Sequence, residues 1–347
     1  MTKSKILVTG GAGFIGSNFI INSLKRFKTW NIVNLDKLTY AGNLNNLKAV
    51  QKNPRYRFIK GDISNKILVD NLFKEEKFDY VINFAAESHV DRSIINPNLF
   101  IYSNVYGTSV LLDCANKYGI NKFIQISTDE VYGQLLRGRS KESDSLKPNN
   151  PYAASKASAD LICRSYYKTF SMPIVIVRIS NNYGPFQFPE KLIPLMIINA
   201  VNGETLPVYG VGDNIRDWIY VDDSCDAIIR IIKRGKAGGI YNVSGNNPVK
   251  NINIISKICN LLSNKLGISL KDLLSLIRFV EDRPAHDNRY SLNCDKMKNE
   301  MGWQPKINID KGLEKTVDWY LNNNNWVNKV QNKEYKKYYK MNYSNRL

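Results

Sequence analysis

The sequence predicts an α/β fold: a Rossmann-type, doubly wound parallel sheet with a smaller C-terminal substrate-binding lobe. Three observations predict it. Short β-type runs alternate with helical stretches through the first half of the chain. The first of these runs, KILVT, passes directly into the glycine cluster GGAGFIG. Asp36 closes the second run about 20 residues after that cluster, the position of an acidic residue in dinucleotide-binding βαβ units.

The runs fall at 5–9, 31–35, 57–59, 80–84, 123–127 and 174–179, and the intervals between them suit right-handed crossover helices. A seventh run at 239–243 comes late, so the sheet is expected to take back one strand after the chain has left it. Between them lies SNNYGPFQFPEKLIP, rich in Asn, Gly and Pro, and beyond them the segment DRPAHDNRY. These divide the chain into a dinucleotide domain at 1–179, with the returning strand near 239–243, and a substrate lobe at 180–347 that ends in a basic tail.

Of the 347 residues 43% are hydrophobic and 23% charged, enough apolar surface for a large core and too little charge for wholesale disorder. The apolar run near the N-terminus is too brief for a secretory signal, and no apolar segment approaches the ~20 residues that span a bilayer. The expectation is a cytoplasmic protein with no membrane partner. Five cysteines, odd in number and never in C-x-x-C spacing, argue against disulfides and zinc, and two histidines argue against a histidine metal site. No metal is expected. The net charge of +18 invites a nucleic-acid partner, but the lysines are dispersed except in the Lys/Tyr-rich stretch 329–340. That stretch reads as a solvated, partly helical end or a polyanion contact. Truncation after Val327 should then spare activity, unless the tail packs on the substrate lobe.

Glycines at Gly10, Gly13 and Gly16, between the first strand and an apolar helix, allow a tight turn and close approach of a pyrophosphate to a helix N-terminus. Asp36 would bond the ribose hydroxyls and repel a 2′-phosphate, favouring NAD over NADP. Asp62 and Ile63 follow the third strand, and Phe84, Ala85, Ala86 and Ser88 follow the fourth, where ligands of open α/β sheets bind.

Tyr152 and Lys156 are four residues apart and share a helix face, with Asn149, Asn150 and Pro151 marking the helix start. An ammonium near a phenol lowers its pKa, so Tyr152 can take a proton from a hydroxyl as hydride leaves the same carbon. Thr128, Asp129 and Glu130 end the fifth strand. Once a sugar C4 is a ketone, its C5 proton is acidic: one carboxylate can remove it while a protonated carboxyl helps the C6 hydroxyl leave. Neighbouring carboxylates disfavour each other's ionisation, which suits one acid and one base.

STDEVYG together with PYAASKA, and with LDKLTYAG, AAESHVDRSI and RDWIYVDD, resembles the extended short-chain dehydrogenase/reductases and, among them, the nucleotide-sugar 4,6-dehydratases of deoxysugar and rhamnose pathways. The resemblance implies a tightly held NAD, regenerated each cycle, bound by the residues above with Phe14, Ile15, Lys37, Thr39, Ser103 and Asn182. It implies that Tyr152 is the base at C4, Lys156 holds the nicotinamide ribose, Thr128 bonds the C4 oxygen, Glu130 takes the C5 proton and Asp129 protonates the leaving hydroxyl. Ser88, His89, Asn181, Lys191 and Leu192 would follow the sugar nucleotide. Pro207, Val208 and Tyr209 would wall the base, and Arg216, Asn251, Arg283 and His286 would hold phosphates or nucleoside. A homodimer formed through helices near 99–118 and 152–170 is also implied. Ala285 departs from the pattern, which has Gly there. dTDP-glucose is the expected substrate, with UDP-glucose as the alternative. A 4-epimerase would need no Asp129–Glu130 dyad, and a non-catalytic NAD- or polyanion-binding protein would need none of the reactive set.

Overall fold

A computed structural model describes residues 3–343. Its strands are β1 (Ser4–Thr9), β2 (Trp30–Asp36), β3 (Tyr56–Lys60), β4 (Tyr80–Asn83), β5 (Lys122–Thr128), β6 (Ile174–Ile179), β7 (Asn181–Tyr183), β8 (Leu206–Tyr209), β9 (Ile215–Tyr220), β10 (Ile240–Val243), β11 (Pro248–Lys250) and β12 (Ile277–Val280). Seven form one sheet in the order β10-β6-β5-β4-β1-β2-β3, with every neighbouring pair parallel. The expected returning strand is β10, which pairs with β6 at the sheet edge.

Alternation along each strand feeds two cores. Ile6, Val8 and Ile32 face the helices Phe14–Arg26 and Val221–Arg234, while Leu7, Val33 and Leu35 face Lys66–Glu76 and Gly107–Tyr118. The later half of the chain contributes more than a strand to this layer. Helix Val221–Arg234 and the side chains of Met297, Met301 and Trp303 lie in the first core. A third core holds the lobe together, built from helices Leu192–Asn202, Asn251–Leu266 and Ile309–Asn322, a three-stranded sheet β11-β9-β7 and the parallel pair β12-β8.

The tail departs from the solvated end that its charge suggests. Lys333–Tyr343 is a helix whose Tyr335, Tyr338 and Tyr343 are buried against the lobe, with its lysines left outside. Tyrosines at 335, 338, 339 and 343 follow helical periodicity, so one face is apolar although the composition is basic. The condition under which truncation would matter is therefore met. Among the described residues no helix is long and apolar enough to cross a membrane.

Candidate active site

The ends of β1 to β6 and the helix Pro151–Phe170 enclose a cavity of about 310 Å³ at the carboxyl edge of the sheet. Beyond β1 the chain turns at Gly10, whose φ of +66° is in the left-handed region. A Cβ there would lie 2.6 Å from the Ala85 amide nitrogen, and one at Gly16 would lie 2.5 Å from the Gly10 carbonyl oxygen. At Gly13 an added Cβ would meet only Gly10 O, at 3.3 Å, so the missing side chain keeps the cavity face open. Gly13 caps the Phe14–Arg26 helix without a side-chain bond, which leaves backbone N–H groups for an anion. This cradle fits a pyrophosphate.

Asp36 accepts hydrogen bonds from the backbone of Ala12 (2.9 Å) and Leu38 (2.8 Å). Burial raises its pKa despite them. Lys37 and Asp62 pair with each other at 2.7 Å across the same end of the cavity. Burial would raise the Asp62 pKa, but the bonds from Lys37 and Ser64 outweigh it and hold the carboxyl below its usual value. A π-type turn at Ile101–Tyr106 carries Ser103 to the cavity wall. The next residue, Asn104, donates to Glu87 O and to Ser155 Oγ, tying the β4 loop to the reactive helix.

At the other end, Thr128 closes β5 and caps the short 3₁₀ turn Asp129–Tyr132, its hydroxyl accepting from Glu130 N at 3.2 Å. That turn brings both carboxyls to the cavity. Asp129 is buried, and its Oδ2 finds no hydrogen-bond partner among the described residues. Burial and the neighbouring Glu130 push its pKa well above the carboxylate range, with Arg216 opposing. Glu130 remains partly exposed and accepts from Asn150 Nδ2 at 3.3 Å. Burial beside Glu130 thus favours the protonated form of Asp129, the form suited to acid chemistry.

Asn150 also caps the next helix through Ala153 N (2.8 Å), with Pro151 in its first turn. One turn on, Lys156 Nζ donates to the Ile126 carbonyl at 2.6 Å. Burial brings its pKa down to about 8, opposed by Asp160 one further turn along, which is itself paired with Arg178 at 2.9 Å. The sequence-based expectation that Lys156 lowers the Tyr152 pKa does not hold within the chain. Loss of water around the phenol, and the charge of Glu130, push Tyr152 far up; a hydrogen bond with Thr128 is what opposes them. The ammonium faces a backbone carbonyl, and desolvation outweighs it.

Every residue assigned above to catalysis or to the dinucleotide lines this one cavity, and so do Ser88, Asn181 and Lys191. Lys191 Nζ donates to Ser88 O at 2.9 Å. The remaining substrate candidates stand outside its lining. Leu192 packs at the edge of the lobe core, and Val208 is buried within it beside Pro207 on β8. The Arg216 guanidinium lies over Tyr290 and donates to the carbonyls of Ile215, Asp287 and Asn288. Arg283 pairs with Asp91 at 3.3 Å, and Asp91 also accepts from the Tyr209 hydroxyl at 3.1 Å. His286 bonds Asp282 at 2.6 Å and its ring meets Tyr209 edge-on. Burial lowers the pKa of both His89 and His286 to about 4, with Asp282 opposing it at His286. Buried atoms with no partner among the described residues include Asn181 Oδ1, Asn251 Oδ1 and Arg283 Nε. Such groups, costly to leave unpaired, suit a polar ligand. Ala285 adopts φ +52°, a conformation that glycine takes without steric cost.

Sequence reasoning missed Glu87, Gln187 and Glu190, all on the cavity wall, and Asn150 as a contact of Glu130. Glu190 accepts from Tyr40 Oη (2.8 Å) and Arg92 Nε (3.1 Å). Its signal was its place in FPEKLIP, and Tyr40 and Arg92 sit in the other motifs quoted above.

The chain's relatives agree with this fold. The family model described as GDP-mannose 4,6 dehydratase matches residues 7–316. A dTDP-glucose 4,6-dehydratase of Xanthomonas campestris pv. campestris (strain B100) is 46% identical over 341 residues, 95% of this chain and 97% of the relative. The crystal structure of dTDP-glucose 4,6-dehydratase from Bacillus anthracis in complex with NAD superposes with a TM-score of 0.86 at 47% identity, covering 94% of this chain and 99% of that one. UDP-glucose 4-epimerase from Thermotoga maritima shares the fold at a TM-score of 0.83 and 25% identity, covering 92% and 99%. The chain belongs to the family described by the GDP-mannose 4,6 dehydratase model, alongside its dTDP-glucose 4,6-dehydratase members.

Proposed function

We propose that the protein is an NAD-dependent dTDP-glucose 4,6-dehydratase, converting dTDP-glucose to the 4-keto-6-deoxyglucose nucleotide and water. The observation that carries this reading is the Asp129–Glu130 pair in one cavity with Tyr152 and Lys156. Gly10, Gly13, Gly16, Asp36 and Lys156 would hold NAD, which would supply a hydride acceptor for C4 and donor for C6 and, through its positive nicotinamide, would favour the Tyr152 phenolate. Tyr152 takes the 4-hydroxyl proton while Thr128 bonds the oxygen. Glu130, held by Asn150, removes the C5 proton and returns it to C5 when hydride reaches C6. Asp129, protonated by its burial beside Glu130, gives its proton to the departing C6 hydroxyl. An epimerase would have no use for these last two groups. Mass spectrometry of the purified protein incubated separately with dTDP-glucose and UDP-glucose tests the reading through the loss of one water. A thymine methyl in an apolar pocket supports a preference for dTDP-glucose of roughly 10- to 200-fold. A higher catalytic efficiency with UDP-glucose would reverse the nucleotide assignment, and no loss of water from either sugar would remove the activity.

Asp36 favours NAD, since a 2′-phosphate would face its carboxylate. Calorimetry on cofactor-stripped protein should find NADP at least tenfold weaker than NAD, and equal affinities would count against this role. Lys156 works as the ammonium, which is present below its pKa of about 8 and lost above it. The alkaline limb of kcat/KM is therefore expected near that pH. Asp160 holds the value up, so Asp160→Asn should move the limb to lower pH, and an unmoved limb would exclude the coupling.

The homodimer reading is supported by the apolar side chains of Leu99, Ile101, Tyr102, Tyr106, Leu161 and Phe170, exposed on the two stretches expected to pair. Sedimentation should give twice 39.7 kDa, and Ile101→Glu with Leu161→Glu should give the monomer mass. A cytoplasmic site of action fits five buried, unpaired cysteines, and cell fractionation checks it.

A further inference from the structure

The Lys333–Tyr343 helix is too short to persist alone in water, so its tyrosine face must be what holds it. Those tyrosines land on the nucleotide side of the candidate site. Tyr338 Oη lies 3.3 Å from His89 Nδ1. Its ring covers one face of the Arg92 guanidinium at 3.9 Å, while Tyr40 covers another at 3.7 Å. Arg92 in turn holds Glu190, the neighbour of Lys191. Tyr343 stacks on Tyr209 with ring centres 6.1 Å apart and planes 24° apart. Tyr209 then bonds Asp91, the partner of Arg283. The packing is close: the space enclosed among His89, Glu190, Leu195 and the tail tyrosines is about 10 Å³.

The tail adds a stacked ring to the contacts that Tyr209 makes with Asp91 and His286. Tyr209 ends β8, one of two four-residue strands in an isolated pair, and is followed by Gly210 and Gly212 at φ +57° and +73°. Leu206 and Val208 anchor this strand in the lobe core, while Tyr209 at its end is only partly buried against that core and meets the tail helix and Asp91. We infer that the C-terminal helix is a built-in wall of the nucleotide subsite, in which Tyr343 and Tyr338 are positioning residues that fix Tyr209, His89 and the Asp91–Arg283 pair for a nucleoside diphosphate. This rests on the reading of Tyr209, His89 and Arg283 as nucleotide contacts. It also gives the basic tail a role that needs no polyanion, because its lysines only solvate the outer face.

The test uses the full chain loaded with NAD and reads thymidine diphosphate binding by calorimetry beside steady-state kinetics with dTDP-glucose. Tyr343→Leu keeps the site apolar but removes the stacked ring, and should raise Kd and KM roughly three- to tenfold, the range of a lost aromatic pair, with kcat within about twofold. Tyr343→Phe keeps the ring and loses only the hydroxyl's bond to Tyr209, so its Kd should lie between those of Tyr343→Leu and the wild type. Tyr338→Leu should act in the same direction, and deletion of the chain after Gln331 should exceed either. A fall in melting temperature with unchanged Kd and KM would make the helix merely structural and overturn the inference. Tighter binding in the variants would make it an obstruction, and would overturn it equally. Calorimetry needs no turnover, so Tyr343-dependent binding in a protein that dehydrates neither sugar would sustain this inference while the proposed activity failed; failure of the wild type to bind thymidine diphosphate would sink the inference.

Discussion

Tyr152→Phe is expected to lower kcat for dTDP-glucose about 10³-fold, within the range for loss of a general base and equivalent to roughly 4 kcal/mol of transition-state stabilisation. The ring is retained, so NAD and thymidine diphosphate should bind as in the wild type. The reason for so large an effect lies in the surroundings of the phenol. Thr128 bonds both the phenol and Asp129 Oδ1, but in the proposed mechanism the carboxylates serve a different carbon, which leaves the phenol as the base at C4. If C4 is not oxidised, the C5 proton is not acidic. Recovered dTDP-glucose should therefore carry no solvent deuterium at C5 after incubation in heavy water. Wild-type turnover, or C5 exchange at the wild-type rate, would show that the base is another group.

Removing either carboxylate should slow turnover about 10²-fold, but the two variants should fail at different bonds. Glu130→Gln leaves C4 oxidation possible and removes the group that takes the C5 proton, so deuterium uptake at C5 should be lost with turnover. Asp129→Asn removes the proton donor, so C5 exchange should continue while water release at C6 stalls. This separation follows from the different environments of neighbouring residues. Asp129 is buried with an unpartnered oxygen and a raised pKa; Glu130 is partly exposed and held by Asn150. Identical exchange behaviour in both variants would mean that the carboxylates act as one unit rather than as acid and base.

The sheet was legible because its signals are local. Alternating apolar runs, a glycine turn between strand and helix, and an acidic residue at the second strand end depend on neighbours a few positions away. All seven strands of the main sheet lie where those runs predicted them, including the late β10. The Tyr152–Lys156 pair was legible for the same reason, since a separation of four puts two side chains on one helical face. Their electrostatics were not. The Tyr152 phenol is governed by water lost to walls that come from β5, β6 and the β4 loop, and the Lys156 ammonium by a carbonyl in β5 and a carboxylate paired to β6.

What the sequence by itself determined is therefore the doubly wound fold, the family and the set of reactive groups, all of which follow from residue type and spacing along the chain. Only the tertiary structure decided which carboxyl of the dyad has its pKa raised by burial, that Asn150 bonds Glu130, that Asp160 and Arg178 stand behind Lys156, and that a basic tail packs an apolar face inward. Tyr338 and His89 are 249 residues apart in sequence and 3.3 Å apart in space. Burial and Coulomb energy depend on distances in space between segments remote in the chain, and composition averages the lysines of the tail helix together with the tyrosines on its opposite face.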